Sequence, residues 1–262
     1  MTTTNVELLA AWTPRSPDYE FVKCRFKVVD SADSVQIKYV FIEDGTYPSG
    51  WASSQEINVE FPPFPVGDWN WGRIRKDSDS GKPVFASTQR KTLPGVIKTW
   101  HPVQIDYFDL TIGGELGDVP PYEPREERER IVKHPLFKCP MRMKIAQLPR
   151  EINDIEKETK AYQLIDGRGI GPKFLGHVTE GGRVIGILTE WYSNAGRPGL
   201  RDAPALLKVL RDLHELGMAY KDDVNGHFFR TNEGKILLAD FQTVMFNANP
   251  WEKRKNLEQV RR

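Results

Sequence analysis

Lys144, Glu158, Asp222, Asp223, Asn225 and Asp240 are the residues whose types and order could do chemistry together. Lys144 lies in an apolar run, Met143-Lys144-Ile145-Ala146, that reads as a strand. Glu158 follows on a stretch with helical spacing, with Tyr162 one turn later. After a segment ending Leu213-His214-Glu215-Leu216-Gly217 comes Tyr220-Lys221-Asp222-Asp223-Val224-Asn225, and a last apolar run delivers Asp240-Phe241-Gln242. Phosphoryl transfer from ATP needs few protein groups. A cation holds the phosphates, a carboxylate holds that cation, another carboxylate stands beside the acceptor, and oxygen ligands hold Mg²⁺. Taken singly, each piece is weak. A strand lysine usually lays its stem over apolar surface, a helix glutamate is usually solvated, and loop aspartates usually cap turns. The information is in the order and in the element on which each residue falls.

Those elements are legible in outline. Up to about Leu110 the chain is rich in aromatic and turn residues, and the runs 21–29 and 35–42 alternate as half-buried strands do. Phe61-Pro62-Pro63-Phe64-Pro65 forbids a helix and predicts an extended connector. Residues 118–140 are rich in proline and charge and read as a solvated linker. Beyond them Ile152, Ile155, Thr159 and Tyr162 predict a helix closed by the glycines of Asp166-Gly167-Arg168-Gly169. Residues 183–188 and 235–239 read as strands. Leu206, Leu207, Val209, Leu210 and Leu213 mark a second amphipathic helix ending at Gly217. Trp51, Trp69, Trp71 and Trp100 are expected to pack in cores.

Composition excludes several classes. Lys plus Arg (37) balances Asp plus Glu (36), so a global electrostatic grip on nucleic acid or an anionic membrane has no support. The basic clusters Lys253-Arg254-Lys255 and Arg261-Arg262 read as a solvated C-terminus. No stretch approaches a membrane span and no secretory leader is evident, so a cytoplasmic protein is expected. Cys24 and Cys139 make no disulfide framework and read as buried thiols. His101, His134, His177 and His214 lack metal-ligand spacing, and packed rings are expected at His177 and His214.

Longer stretches carry a family likeness. Glu158-Thr159-Lys160-Ala161-Tyr162-Gln163, Gly169-Ile170-Gly171-Pro172-Lys173-Phe174-Leu175-Gly176-His177 and Gly182-Arg183-Val184-Ile185-Gly186 resemble fungal kinase-like proteins of the aminoglycoside-phosphotransferase and RIO branch. Pro62-Pro63, Gly67-Asp68-Trp69, Leu93-Pro94-Gly95-Val96 and Trp100-His101-Pro102 extend the likeness into the N-terminal half. The resemblance implies an α+β, protein-kinase-like fold with a reduced C-lobe. It also implies a β-rich portion at 1–117, a linker at 118–140 and a kinase-like portion at 141–262. The implied cofactors are ATP and Mg²⁺, and the implied substrate is a small molecule or a protein. Lys144 would be the nucleotide lysine and Glu158 its helix partner. Glu190 would stand at the hinge where backbone groups meet adenine, and Asp240 would hold the metal.

The catalytic loop departs from the family pattern. Matching Asp-Val-Asn puts Asp223 in the catalytic place and Phe228 where a metal-binding amide belongs. Matching without a gap from Leu216-Gly217 puts Asp222 there instead, with His227 at the amide position. Asn225 replaces the amide only if the loop is rebuilt. The glycine-rich run Ile112-Gly113-Gly114-Glu115-Leu116-Gly117 lies well before Lys144, and the few residues after Asp240 leave no room for a long activation segment. Two rival expectations follow: a pseudokinase that serves as a binding module, and an enzyme on the same scaffold that acts on an apolar metabolite without ATP.

Overall fold

The alternating runs near the N-terminus form strands β1 (Asn5–Trp12), β2 (Phe21–Val29), β3 (Val35–Glu43), β4 (Trp71–Lys76) and β5 (Pro83–Gln89). The computed structural model describes residues 5–13, 21–29, 34–53, 59–112, 128–193 and 195–260. The chain is an α+β protein in two units: described residues up to Pro94 form one, and those from Gly95 form the other. In the first, the strands make a five-stranded sheet in chain order, with β3 and β4 parallel and the other neighbours antiparallel. Cys24, Phe26, Val28, Val40, Ile42 and Ile74 bury one face together with Trp69. Phe61 and Phe64 each meet Phe26 edge-on at 5.0 Å, so the connector kept extended by its prolines covers this core.

The second unit contains β6 (Gln104–Asp106), β7 (Thr111–Ile112), β8 (Glu129–Lys133), β9 (Met141–Ile145), β10 (Phe174–Glu180) and β11 (Arg183–Glu190). They form a six-stranded sheet in the order β6-β10-β11-β9-β8-β7. Helix α1 (Ile152–Ile165) follows β9 and buries Ile152, Ile155, Ala161, Tyr162 and Ile165, the face its spacing predicts. After β11 come α2 (Ala203–Glu215), β12 (Met218–Tyr220), β13 (Phe228–Arg230), β14 (Ile236–Leu238), β15 (Val244–Phe246) and α3 (Pro250–Val260). β12 pairs with β15 and β13 with β14, so two small ribbons carry the loops before and after them.

Several expectations need correction. The division falls at Pro94 and Gly95, not near residue 117, because Val96, Ile105 and Leu110 are buried in the core of the second unit. Within the expected linker, Glu129–Lys133 is a strand: Val132 is fully buried, and Glu129 pairs with Lys144 across β8 and β9. Lys253, Arg254 and Lys255 lie on the regular helix α3; Arg254 and Lys255 are exposed as expected, and the next residue, Asn256, is buried. Cys139 is exposed, whereas Cys24 is buried and its thiol pKa is pushed far up by burial. Residues 113–127, which hold the glycine-rich positions 113–117 and the first part of the expected linker, lie outside the described residues. Among the described residues no helix is long and apolar enough to cross a membrane.

Close backbone approach sets the register of β9. A Cβ on Gly186 of β11 would come within 2.5 Å of the Lys144 carbonyl oxygen and 2.6 Å of Ile145 Cγ2. Only glycine lets β11 lie this close to the strand that carries Lys144.

His177 on β10 is fully buried, and neither ring nitrogen has a hydrogen-bond partner. Burial, with a smaller contribution from His101, lowers its pKa to about 4. The unfolded chain binds this proton near the ordinary histidine value and the folded chain does not, so stability falls as pH drops from about 6.5 to about 4. Urea unfolding should show that loss, about 3 kcal/mol at most, and His177→Phe should flatten it. An equal pH dependence in the variant would contradict the assignment. The unit boundary has its own test. A chain starting at Gly95 should unfold at higher urea than one starting at Asp118, because each apolar side chain removed from the core contributes about 1.5–3 kcal/mol. Equal midpoints would place Val96, Ile105 and Leu110 outside the core.

Candidate functional site

Alternation along β9 puts Arg142 and Lys144 on one side of the strand. The ammonium of Lys144 lies 2.8 Å from Glu158 Oε2 on α1, 2.5 Å from Asp240 Oδ1 after β14, and 3.4 Å from Glu129 Oε1 on β8. Arg142 takes the other oxygen of Glu129, with Nε at 3.0 Å. Lys144 is 5% and Glu158 2% exposed in the side chain, so this is a desolvated cluster. Two cations face three carboxylates, which leaves a surplus of negative charge.

Burial works against the charged ammonium, yet Glu158, Glu129 and Asp240 together raise the Lys144 pKa above its ordinary value. Glu158 is the deepest carboxylate. Burial raises its pKa in spite of the pull of Lys144, so it is the charge that depends most on the lysine. Burial likewise opposes the charge of Glu129, but Arg142 and Lys144 outweigh it and hold that pKa low.

Asp240 stands in a left-handed backbone conformation, φ 60° and ψ 55°, at the start of a short 3-10 turn. A non-glycine residue there is strained and must be held by its surroundings. Phe241 supplies one anchor: it is fully buried, edge-on to Tyr162 at 5.1 Å. Tyr220 supplies another by donating from its hydroxyl to the Ala239 carbonyl at 2.8 Å. Ala239 N–H in turn donates to the His227 carbonyl at 3.0 Å. These contacts aim the Asp240 carboxylate at Lys144 while leaving its side chain 32% exposed.

The loop after β12 gives the two neighbouring aspartates different surroundings. His227 stacks on Tyr220, with centroids 4.2 Å apart, and lies between two carboxylates. Its Nε2 is 3.1 Å from Asp222 Oδ1, and its Nδ1 is 3.9 Å from Asp240 Oδ2. Asp222 therefore joins the cluster and keeps a half-exposed side chain. Asp223 instead caps the short turn Val224–His227, accepting from Asn225 N–H at 3.2 Å and Nδ2 at 3.1 Å. The Asn225 amide also donates to the Gln259 carbonyl on α3, so it ties the loop to that helix. Phe228 is buried on β13. Glu190 serves a turn: its carboxylate accepts from the Tyr192 hydroxyl at 2.7 Å and Lys173 N–H at 3.3 Å, and its own N–H donates to the Lys173 carbonyl at 2.9 Å.

Two residues of the arrangement are absent from the sequence expectations. Glu129 sits in a charge-rich stretch where only its strand register with Lys144 gives it meaning. Asn256 on α3 is fully buried and clasps both backbone groups of Tyr220: Oδ1 accepts from Tyr220 N–H at 2.8 Å and Nδ2 donates to Tyr220 O at 3.0 Å. It fixes the strand end that leads into Lys221 and Asp222, and no sequence spacing signals it.

Among the described residues no group of three or more His, Cys, Asp or Glu side chains is arranged to hold a metal unaided. A cation here would need oxygens from a ligand, as nucleotide-bound Mg²⁺ does. No protein-family model matches the chain, and no curated protein matches it.

Removing the cation strands buried carboxylates. Lys144→Met should lower unfolding free energy by about 3–5 kcal/mol in urea titrations, and the Lys144→Met/Glu158→Leu pair should recover part of that loss. Additive losses would show that the two side chains do not depend on each other.

Proposed function

We propose that the second unit is a kinase-like phosphotransferase that moves the terminal phosphoryl group of ATP to a hydroxyl of a small molecule or a protein. The observation that carries this reading is the convergence of Glu158 and Asp240 on the Lys144 ammonium, at 2.8 and 2.5 Å, from a helix and from a strained turn far apart in sequence. Lys144 lies on the third strand of the β7-β8-β9 meander, as the nucleotide lysine of protein kinases does, and Glu158 lies on the helix that follows. An α+β unit of this order, a six-stranded sheet with α1 after β9 and two short ribbons after α2, suits a kinase-like fold.

On this reading Lys144 holds phosphate oxygens and Glu158 keeps it extended. Asp240 Oδ2 is free of the lysine and faces the place where a nucleotide-bound cation belongs. Asp222 spends one oxygen on His227 and keeps the other for the acceptor hydroxyl. Asp223 serves the loop turn instead. A binding module without turnover is the second reading. Glu129 favours it, because Lys144 already faces three carboxylates and a phosphate must displace one of them.

Calorimetric titration with ATP, in Mg²⁺ and in Mn²⁺, should show binding that Asp240→Asn abolishes. Asp222→Asn should lower phosphotransfer by about 10²–10⁴-fold, more than it weakens ATP binding, whereas Asp223→Asn should change turnover little. ATP binding without turnover in the unaltered chain would favour the binding module. No ATP binding with either metal would overturn phosphotransfer.

A further inference from the structure

We infer that His227 is a metal ligand, oriented by Asp222, and that it turns this site from Mg²⁺ toward a nitrogen-accepting first-row divalent ion, from Mn²⁺ to Zn²⁺. The inference deepens the phosphotransfer reading and rests on it for the phosphate oxygens that complete the coordination. Its basis is the direction of the two ring nitrogens. Nε2 is 3.1 Å from Asp222 Oδ1, and a carboxylate can only accept, so this contact puts the ring proton on Nε2. Nδ1 is then the nitrogen turned toward Asp240 Oδ2, at 3.9 Å. That distance is too long for a hydrogen bond.

It suits two ligand atoms of one ion. Metal–nitrogen and metal–oxygen bonds of about 2.1 Å place two neighbouring donors about 3.4 Å apart in a tetrahedron and about 3.0 Å apart in an octahedron, so a closing movement of about 0.5–0.9 Å brings both atoms onto one ion. A histidine that gives one nitrogen to a metal commonly donates its other N–H to a carboxylate, as His227 does to Asp222. Stacking on Tyr220 holds the ring in that plane. Asp240 divides its oxygens in the matching way, with Oδ1 on Lys144 and Oδ2 toward His227. The surplus negative charge of the cluster favours a cation. An imidazole nitrogen discriminates against Mg²⁺, a hard ion that prefers oxygen, more than against transition ions. With two protein ligands only, the remaining positions fall to phosphate oxygens and water, which agrees with the lack of any self-sufficient three-residue metal group among the described residues.

The test is Mn²⁺ titrated into the full chain, alone and with inorganic tripolyphosphate, a nitrogen-free stand-in for the nucleotide tail. Loss of the free-ion paramagnetic resonance signal gives affinity for the chain alone, with protein-free Mn²⁺–tripolyphosphate as the blank for the mixed sample, and pulsed resonance reads nitrogen coupling from a bound imidazole. The unaltered chain should show that coupling and should hold Mn²⁺ at least tenfold more tightly than Mg²⁺ competes for it. His227→Asn and His227→Gln should both lose the coupling, and in His227→Asn Mg²⁺ should compete more evenly. Asp222→Asn should weaken Mn²⁺ binding about 10–100-fold. Absence of nitrogen coupling in the unaltered chain, a reading that needs no variant to fold, would overturn the inference. Coupling that persists in both His227 variants would place the ion on another histidine and overturn it too. ATP binding with Mg²⁺ and no nitrogen coupling to Mn²⁺ would defeat this inference and leave phosphotransfer standing. Coupling that is lost in both variants, with no ATP binding under any metal, would support the metal site and defeat phosphotransfer.

Discussion

A lysine ammonium buried among three carboxylates is the constraint on which the second unit depends. Taking Lys144 out of water is costly unless oxygens arrive to replace the lost hydration. Those oxygens come from β8, from α1 and from the turn after β14, so the ammonium can be satisfied only when sheet, helix and turn are assembled. Gly186 lets β11 approach β9 closely, and Asp240 holds a left-handed backbone in the turn that reaches the ammonium. Strain at Asp240 is balanced by the burial of Phe241 and by the hydrogen bonds that Tyr220 and His227 make around Ala239.

The loop after β12 has its own support, which comes from later in the chain. Asn256 on α3 satisfies both backbone groups of Tyr220, and Gln259 accepts from Asn225 through its carbonyl and from Val224 N–H through its side chain. The helix thereby fixes the path that carries Asp222 to His227. Asp222 and Asp223 are neighbours with the same side chain, yet their environments separate them. One leans on a histidine beside the buried cluster, and the other closes a turn at the surface.

How far the sequence was legible follows from the kind of information each feature needs. Helix α1 and strands β2, β3, β9 and β11 were readable because hydrophobic period is local. Lys144, Glu158 and Asp240 were readable as a set through their order, and the structure brings them together. Asp222 and Asp223 could not be told apart in the sequence because what separates their surroundings is the loop path, which the contacts with His227 and α3 hold. Glu129 was hidden because its partner lies across a strand pair whose register no local pattern reveals. Asn256 was hidden because one buried amide inside a charged run looks like any solvated helix. The first boundary was misplaced for a similar reason. Val96, Ile105 and Leu110 sit among turn residues typical of the β-rich half, and only their long-range packing assigns them to the second core.

The central claim is that Lys144 stands where nucleotide phosphates bind, and it can be read from the lysine itself. An acyl-phosphate derivative of ATP delivers its acyl group to the amine beside the bound phosphates, and peptide mass spectrometry locates the modified residue. The account predicts acylation of Lys144 above the chain's other lysines, suppressed by excess ATP. An unmodified Lys144, or labelling of Lys144 that excess ATP leaves unchanged, would contradict it.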